Sequence, residues 1–198
     1  MDELLDGVAA YQATVHATND QLFAGLATGQ SPQTMFITCA DSRVDPSLIT
    51  QHGPGELFVS RNVGNVIPPA SSQDLNPDGM AAALEYAVQI LKVSQIVVCG
   101  HSDCGAMKAA LSPESVHETT YIKTWIEFSR VAIHSADEPL DVAIQHNVVH
   151  QIANLKTYDF VDQALRNGTL SVAGWVYDIG TGAVSIHGDD GWQQLHSG

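Results

Sequence analysis

The sequence is poor in basic residues and in charged residues altogether. Its 198 residues include 8 Lys and Arg against 22 Asp and Glu, which gives a formal net charge of −14 at pH 7. A surface of that sign repels nucleic-acid phosphates and anionic membranes, so neither is an expected partner. No apolar run approaches the roughly 18 residues that a membrane-spanning helix needs.

Cysteine is also scarce, with Cys39, Cys99 and Cys104 as its three occurrences. An odd number of cysteines at wide spacing does not suit a disulfide framework. The first residues, MDELLDGVAAYQATV, are acidic where a secretory signal peptide is basic. We therefore expect a cytoplasmic protein whose reduced thiols serve metal binding or catalysis.

Apolar residues, by contrast, make up 44% of the chain, enough for one sizeable core. Short apolar, β-branched runs predict strands, and longer stretches with helical spacing predict helices between them. Strands are predicted at 34–38, 56–63, 94–99, 169–177 and 183–187, and helices at 80–91 and over most of 114–166. This order predicts an α/β fold, with a mostly parallel central β-sheet flanked by helices, including C-terminal helices.

The N-terminal 30 residues have a different pattern. Two amphipathic helices are predicted at 3–11 and 21–27, forming a helical arm over 1–30 ahead of an α/β domain over 31–198. The apolar stripes of such short helices need a partner surface. We expect the arm to pack against a second copy of the chain, in a homodimer or a dimer of dimers.

Reactive side chains follow two of the predicted strands. Cys39, Asp41 and Arg43 come directly after the first, and His101 and Cys104 follow the run that ends at Cys99. The carboxyl ends of parallel strands meet at one edge of a sheet, so these groups should lie close together. Two thiolates and one imidazole form the ligand set of some catalytic zinc sites, with a fourth position open. We expect one Zn²⁺ per chain, and we interpret Cys99, inside an apolar run, as a core residue.

The motifs CADSR, LFVSRNVGN and IVVCGHSDCG, in this order and spacing, closely resemble those of the β-carbonic anhydrases. The resemblance implies reversible hydration of CO₂ to bicarbonate and a proton by zinc-bound hydroxide. The implied zinc ligands are Cys39, His101 and Cys104. In the implied dyad, Asp41 orients the hydroxide and Arg43 keeps Asp41 ionised and away from the metal.

The pocket residues resemble those of the plant-type branch of this family. Gln30, Phe58, Val63 and Tyr86 match residues that line the CO₂ pocket there, and in that branch two chains share the pocket. Plant-type members often have a His four residues after the pocket Tyr. This sequence has Ile90 there, so the resemblance names no proton-transfer residue.

Two alternative functions remain open at this stage. Hydrolases of COS or CS₂ use the same zinc site, although they tend to carry Met-Asp after the first cysteine, where this chain has Ala40 and Asp41. A zinc-stapled scaffold without turnover would need a fourth protein ligand to close the site. Asp41 is the obvious candidate for that ligand.

Overall fold

The computed structural model describes residues 2–72 and 78–195, which form two compact units that separate between residues 31 and 32. The N-terminal unit contains helices α1 (Asp2–Tyr11) and α2 (Asp20–Leu26), with a π turn at Gln12–His16 between them. The rings of His16 and Phe23 stack at 4.6 Å, which holds the two helices together. Both predicted helices are confirmed within one residue at each end, and neither buries a side chain.

The second unit is built on a sheet that has six strands within the described residues. These are β1 (Thr34–Cys39), β2 (Leu57–Asn62), β3 (Gln95–His101), β4 (Ser171–Tyr177), β5 (Val184–Gly188) and β6 (Gly191–Gln194). Their order is β2-β1-β3-β4-β5-β6, and pairing is parallel from β2 to β4 and antiparallel from β4 to β6. The predicted α/β fold with a mostly parallel central sheet is confirmed.

The described helices of this unit are short except for one. They are α3 (Pro46–Thr50), α4 (Gly79–Glu85), α5 (Gly105–Leu111), α6 (Tyr121–Trp125), α7 (Glu127–Arg130), α8 (Leu140–Leu155) and α9 (Asp159–Arg166). Single 3₁₀ turns lie at Ala70–Ser72 and Pro113–Val116. Aspartate caps begin two of the helices: Asp45 accepts from the Leu48 N–H, and Asp78 accepts from two N–H groups of α4.

The central strands are buried on both faces, as their continuous apolar runs predict. On one face, Ile37 and Val98 belong to the main core, together with Val148 of α8. On the other face, Phe36, Val97 and Cys99 form a smaller cluster that Trp175 packs against.

Two glycines let α8 lie close to the sheet. A Cβ atom at Gly100 would lie 2.9 Å from a Val148 methyl group, and one at Gly174 would lie 2.9 Å from the Ile152 Cδ1. Both contacts are closer than carbon atoms tolerate, so the packing of α8 against β3 and β4 requires glycine there.

The structure corrects several predicted boundaries. The helix predicted at 80–91 is α4 followed by a π turn at Tyr86–Ile90. The pattern also missed α3 and β6, whose four or five residues are too short for a clear period. Asp189 and Asp190 join β5 to β6. The stretch 114–166 is helical in separate pieces, with an irregular segment at 131–139.

Candidate metal centre

Three buried side chains converge where the parallel strands end. Cys39 is the last residue of β1, His101 is the last residue of β3, and Cys104 immediately precedes α5. One ligand atom from each lies within 4.8 Å of the other two. The register explains the meeting, because β1 and β3 pair in parallel and their carboxyl ends reach the same edge.

The two thiols are free and buried. A hydrogen bond from the Cys104 thiol, helped by His101 and by the Gly64 N–H, lowers the pKa of Cys39 to about 4 despite its burial. The same bond to Cys39, together with burial, raises the pKa of Cys104. Metal binding requires both thiols as thiolates, and the hydrogen bonds to Cys39 favour that form at this residue.

His101 has one nitrogen engaged and one without a partner. Nδ1 lies 2.8 Å from the Ser102 carbonyl oxygen, so it is assigned as the protonated nitrogen. Nε2 is buried and has no hydrogen-bond partner among the described residues. Such an orphaned acceptor beside two thiols fits a metal ion with nitrogen and sulfur ligands, and the donor set is one that Zn²⁺ takes.

Asp41 lies beside this group and is held by Arg43. The Arg43 backbone N–H and Nε both donate to Asp41 Oδ1, at 3.0 and 2.9 Å, and Nη2 donates to Oδ2 at 2.8 Å. These hydrogen bonds hold the pKa of Asp41 well below its usual range. Asp41 Oδ2 is 3.9 Å from His101 Nε2, so an ionised carboxylate borders the position where a metal would bind.

Two charged residues that sequence reasoning did not single out support this dyad. Arg43 Nη1 donates to Asp103 Oδ2 at 2.9 Å, and Asp103 also pairs with Lys108. Arg61 donates to the carbonyl oxygens of Cys39 and Asp41, at 3.0 and 2.6 Å. Asp103 lies inside IVVCGHSDCG and Arg61 inside LFVSRNVGN, but nothing in the local pattern predicts these contacts.

An open apolar cavity of about 800 Å³ reaches Ala40, the residue that follows Cys39. Val63 lines it, as do Ala40, Tyr121, Trp125 and Phe128. Trp125 Nε1 donates to the Val63 carbonyl oxygen at 2.8 Å, which fixes that wall. Among the predicted pocket residues, Val63 is thus the one that borders this cavity.

The other predicted pocket residues lie elsewhere. Phe58 and Tyr86 contact each other, with ring centroids 5.8 Å apart, and neither lines the cavity beside Val63. Tyr86 is 43% exposed. Gln30 is exposed and belongs to the N-terminal unit. Cys99 is fully buried, with a pKa that burial raises to about 12, which agrees with its interpretation as a core residue.

The comparisons with known proteins agree with this geometry. A family model described as "Carbonic anhydrase" matches residues 34–184. A solved structure of the β-carbonic anhydrase CcaA superimposes with a TM-score of 0.92 at 37% identity, covering 100% of this chain and 92% of that one. The chain belongs to the β-carbonic anhydrase family.

Other carbonic anhydrases resemble most of the chain. The carbonic anhydrase of Pseudomonas aeruginosa is 44% identical over 192 residues, which is 93% of this chain and 86% of that protein. A tetrameric β-carbonic anhydrase of Sordaria macrospora has a TM-score of 0.82 at 30% identity, covering 98% of each chain. β-Carbonic anhydrases are zinc enzymes, and this member has a Cys-His-Cys group able to hold a metal. No helix in the described part of the chain has the length and apolar character to cross a bilayer.

Proposed function

We propose that this chain catalyses the reversible hydration of CO₂ to bicarbonate and a proton, with one Zn²⁺ bound by Cys39, His101 and Cys104. The observation that carries the proposal is the convergence of these ligands beside a carboxylate held by arginine, in a member of the β-carbonic anhydrase family. When bound, zinc supplies the Lewis acidity that makes water nucleophilic near neutral pH.

The ligands are oriented by backbone groups. His101 donates from Nδ1 to the Ser102 carbonyl, which leaves Nε2 free to face the metal position. The Gly64 N–H donates to Cys39 Sγ at 3.4 Å and so disperses the charge of that thiolate. Hydrogen bonds of this kind keep ligands in place before the metal arrives and set how much charge they donate to it.

Asp41 is the proposed acceptor for the hydrogen of the reacting water. Its carboxylate is ionised and ready to accept, because Arg43 lowers its pKa. An acceptor fixed on one side of the nucleophile directs a lone pair towards the carbon of CO₂. Arg43, itself bound to Asp103, donates hydrogen bonds to both oxygens of Asp41. This supports a metal site whose fourth ligand position is open, rather than one in which Asp41 is the fourth ligand.

The apolar cavity beside Val63 is suited to CO₂, a linear and uncharged molecule. We propose that Phe58 and Tyr86, together with Gln30, complete this pocket from a second copy of the chain, as in the plant-type branch. The contact between Phe58 and Tyr86 and the exposure of the tyrosine ring support this role.

Assembly through the N-terminal arm follows from the same proposal. Leu4, Leu5 and Val8 are 75%, 60% and 52% exposed, and α1 and α2 bury no residue. Residues 1–30 are the proposed dimerisation arm and 31–198 the catalytic domain, in a homodimer or a dimer of dimers. A cytoplasmic location is proposed because the centre needs reduced thiols.

The test is stopped-flow CO₂ hydration by zinc-loaded protein between pH 6 and 9, with sulfide release from COS measured in parallel. We expect CO₂ hydration to dominate. Cys39→Ser, His101→Ala and Cys104→Ser should each lose zinc and activity, whereas the control Cys99→Ala keeps both. Full zinc retention by all three ligand variants would refute the assignment. Faster turnover of COS than of CO₂ would favour the hydrolase.

A further inference from the structure

A second group of metal-ligating side chains lies outside the candidate metal centre. His134 and Glu138 belong to the irregular segment 131–139, and His146 lies in α8. One ligand atom from each lies within 4.8 Å of the other two. The sequence offers no reason to group them, because histidines on amphipathic segments are ordinarily surface residues.

Glu138 carries a buried carboxylate that protein groups satisfy only in part. Its side chain is 6% exposed, and Oε1 lies 3.0 Å from His146 Nδ1. Oε2 is buried and has no hydrogen-bond partner among the described residues. A carboxylate removed from water needs a compensating positive charge or donors on both oxygens, and one imidazole supplies neither to Oε2.

The two histidines are arranged poorly for a pair of cations. The rings of His134 and His146 lie face to face, with centroids 4.2 Å apart and planes inclined by 32°. Two positive charges on rings at this distance would repel each other. One divalent cation shared by two neutral imidazoles and the carboxylate removes the repulsion and supplies the missing charge.

Solvent can reach the group from one side. His134 is exposed, and it lines a surface cavity of about 330 Å³ together with Arg130, Ile133 and Ser135. Arg130 is the neighbouring cation in that cavity, and its charge is paired with Glu127 at 3.2 Å. An ion can therefore enter beside His134 without crossing the core.

We propose that His134, Glu138 and His146 form a second site for a divalent transition-metal ion with nitrogen and oxygen ligands, such as Zn²⁺ or Ni²⁺. Two imidazoles and a carboxylate are a ligand set that these ions prefer over Mg²⁺ or Ca²⁺. The bound ion ties segment 131–139 to α8. Its effect is on stability, because none of the three side chains belongs to the candidate metal centre.

The test uses full-length, zinc-loaded protein without a polyhistidine tag, titrated with Zn²⁺ and, separately, with Ni²⁺. We expect the wild type to bind one more equivalent of metal ion per chain than it already holds. In His134→Ala or Glu138→Gln, the affinity for that additional ion should be at least tenfold lower. Added Zn²⁺ should raise the melting temperature of the wild type and not that of His134→Ala. His117→Ala is the matched control, because His117 forms an exposed pair with Glu118 at 3.8 Å. That variant should bind as the wild type does.

Nickel-edge X-ray absorption separates this site from the cysteine site. Scattering from nitrogen and oxygen alone supports the proposal, and sulfur scattering overturns it. Equal metal stoichiometry in the wild type and in either variant also overturns it. If Glu138→Gln fails to fold, as judged by circular dichroism, His134→Ala decides alone, since that side chain is exposed. The rate of CO₂ hydration should be the same in His134→Ala as in the wild type. The metal titration therefore tests the second site independently of the proposed function.

Discussion

Gln151, in the middle of α8, is fully buried and holds segments that are distant in sequence. Its Oε1 accepts from the Ile67 N–H at 2.7 Å. Its Nε2 donates to the Phe128 carbonyl at 3.1 Å and to Asn147 Oδ1 at 2.9 Å. Asn147 in turn donates to the carbonyl of Gly64, the residue whose N–H reaches Cys39 Sγ. The stability of the fold and the loop beside the candidate metal centre therefore depend on one amide.

Replacing Gln151 with Leu keeps roughly the same volume but removes the partner of the Ile67 N–H, the Phe128 carbonyl and Asn147 Oδ1. It also removes the acceptor of a longer hydrogen bond from Asn154 Nδ2, at 3.4 Å. Each buried group left unpaired costs about 1–3 kcal/mol, and the half-buried Phe128 carbonyl costs least because water can reach it. The added apolar surface of Leu offsets about 1 kcal/mol. We expect Gln151→Leu to lower the free energy of unfolding by about 2–6 kcal/mol, because the cost of two fully buried unpaired groups and of the Phe128 carbonyl exceeds this offset.

The assay is equilibrium unfolding in urea, with zinc-loaded wild type and variant at the same protomer concentration, because association adds to apparent stability. Gln163→Leu, at an exposed position of α9, is the control and should change stability by less than about 0.5 kcal/mol. The variant should also release zinc to a chelator faster, since the Gly64 loop loses its support. A stability loss as small as that of the control would refute the reasoning.

Three further predictions concern the dyad, the sheet and the arm. Asp41→Ala should retain zinc yet lose about a hundredfold in turnover, and Arg43→Ala should behave similarly; loss of zinc by Asp41→Ala would instead make Asp41 a ligand. Gly174→Ala should destabilise the protein by about 1–3 kcal/mol in urea unfolding, because its Cβ would collide with α8. Gly79→Ala is the control, since its Cβ would meet nothing within 4 Å. Equal stabilities of the two variants would contradict the packing argument. Deleting residues 1–26 should reduce association and CO₂ hydration while zinc stays bound, and a fully active monomer in light scattering would overturn the shared pocket.

Much of the α/β fold follows from local pattern. The runs that became β1 and β3 are apolar and β-branched, which is typical of parallel strands covered on both faces. Reactive residues directly after such runs must lie at the carboxyl edge of the sheet, whatever the rest of the chain does. This is why Cys39, His101 and Cys104 could be grouped from the sequence once their strands were predicted to be parallel neighbours.

Contacts between polar residues of different segments could not be predicted from local pattern. Arg61 reaches the carbonyl oxygens of Cys39 and Asp41 because β2 pairs with β1 in the register that places Asn62 opposite Cys39. A shift of one residue would turn Arg61 to the other face of the sheet. Register is a property of the folded sheet, and no local pattern of apolar residues specifies which arginine meets which carbonyl.

The sequence by itself determined the strands β1 to β5 and the longer helical segments, since these depend on the spacing of apolar residues along one segment. Their alternation then predicted the mostly parallel sheet and the residues at its carboxyl edge. Only the tertiary structure decided that Phe58 and Tyr86 lie apart from the cavity that Val63 lines, and that His134 and His146 meet around Glu138. These arrangements arise from packing between segments far apart along the chain. Their energies depend on burial and on partners that exist only once the chain has folded.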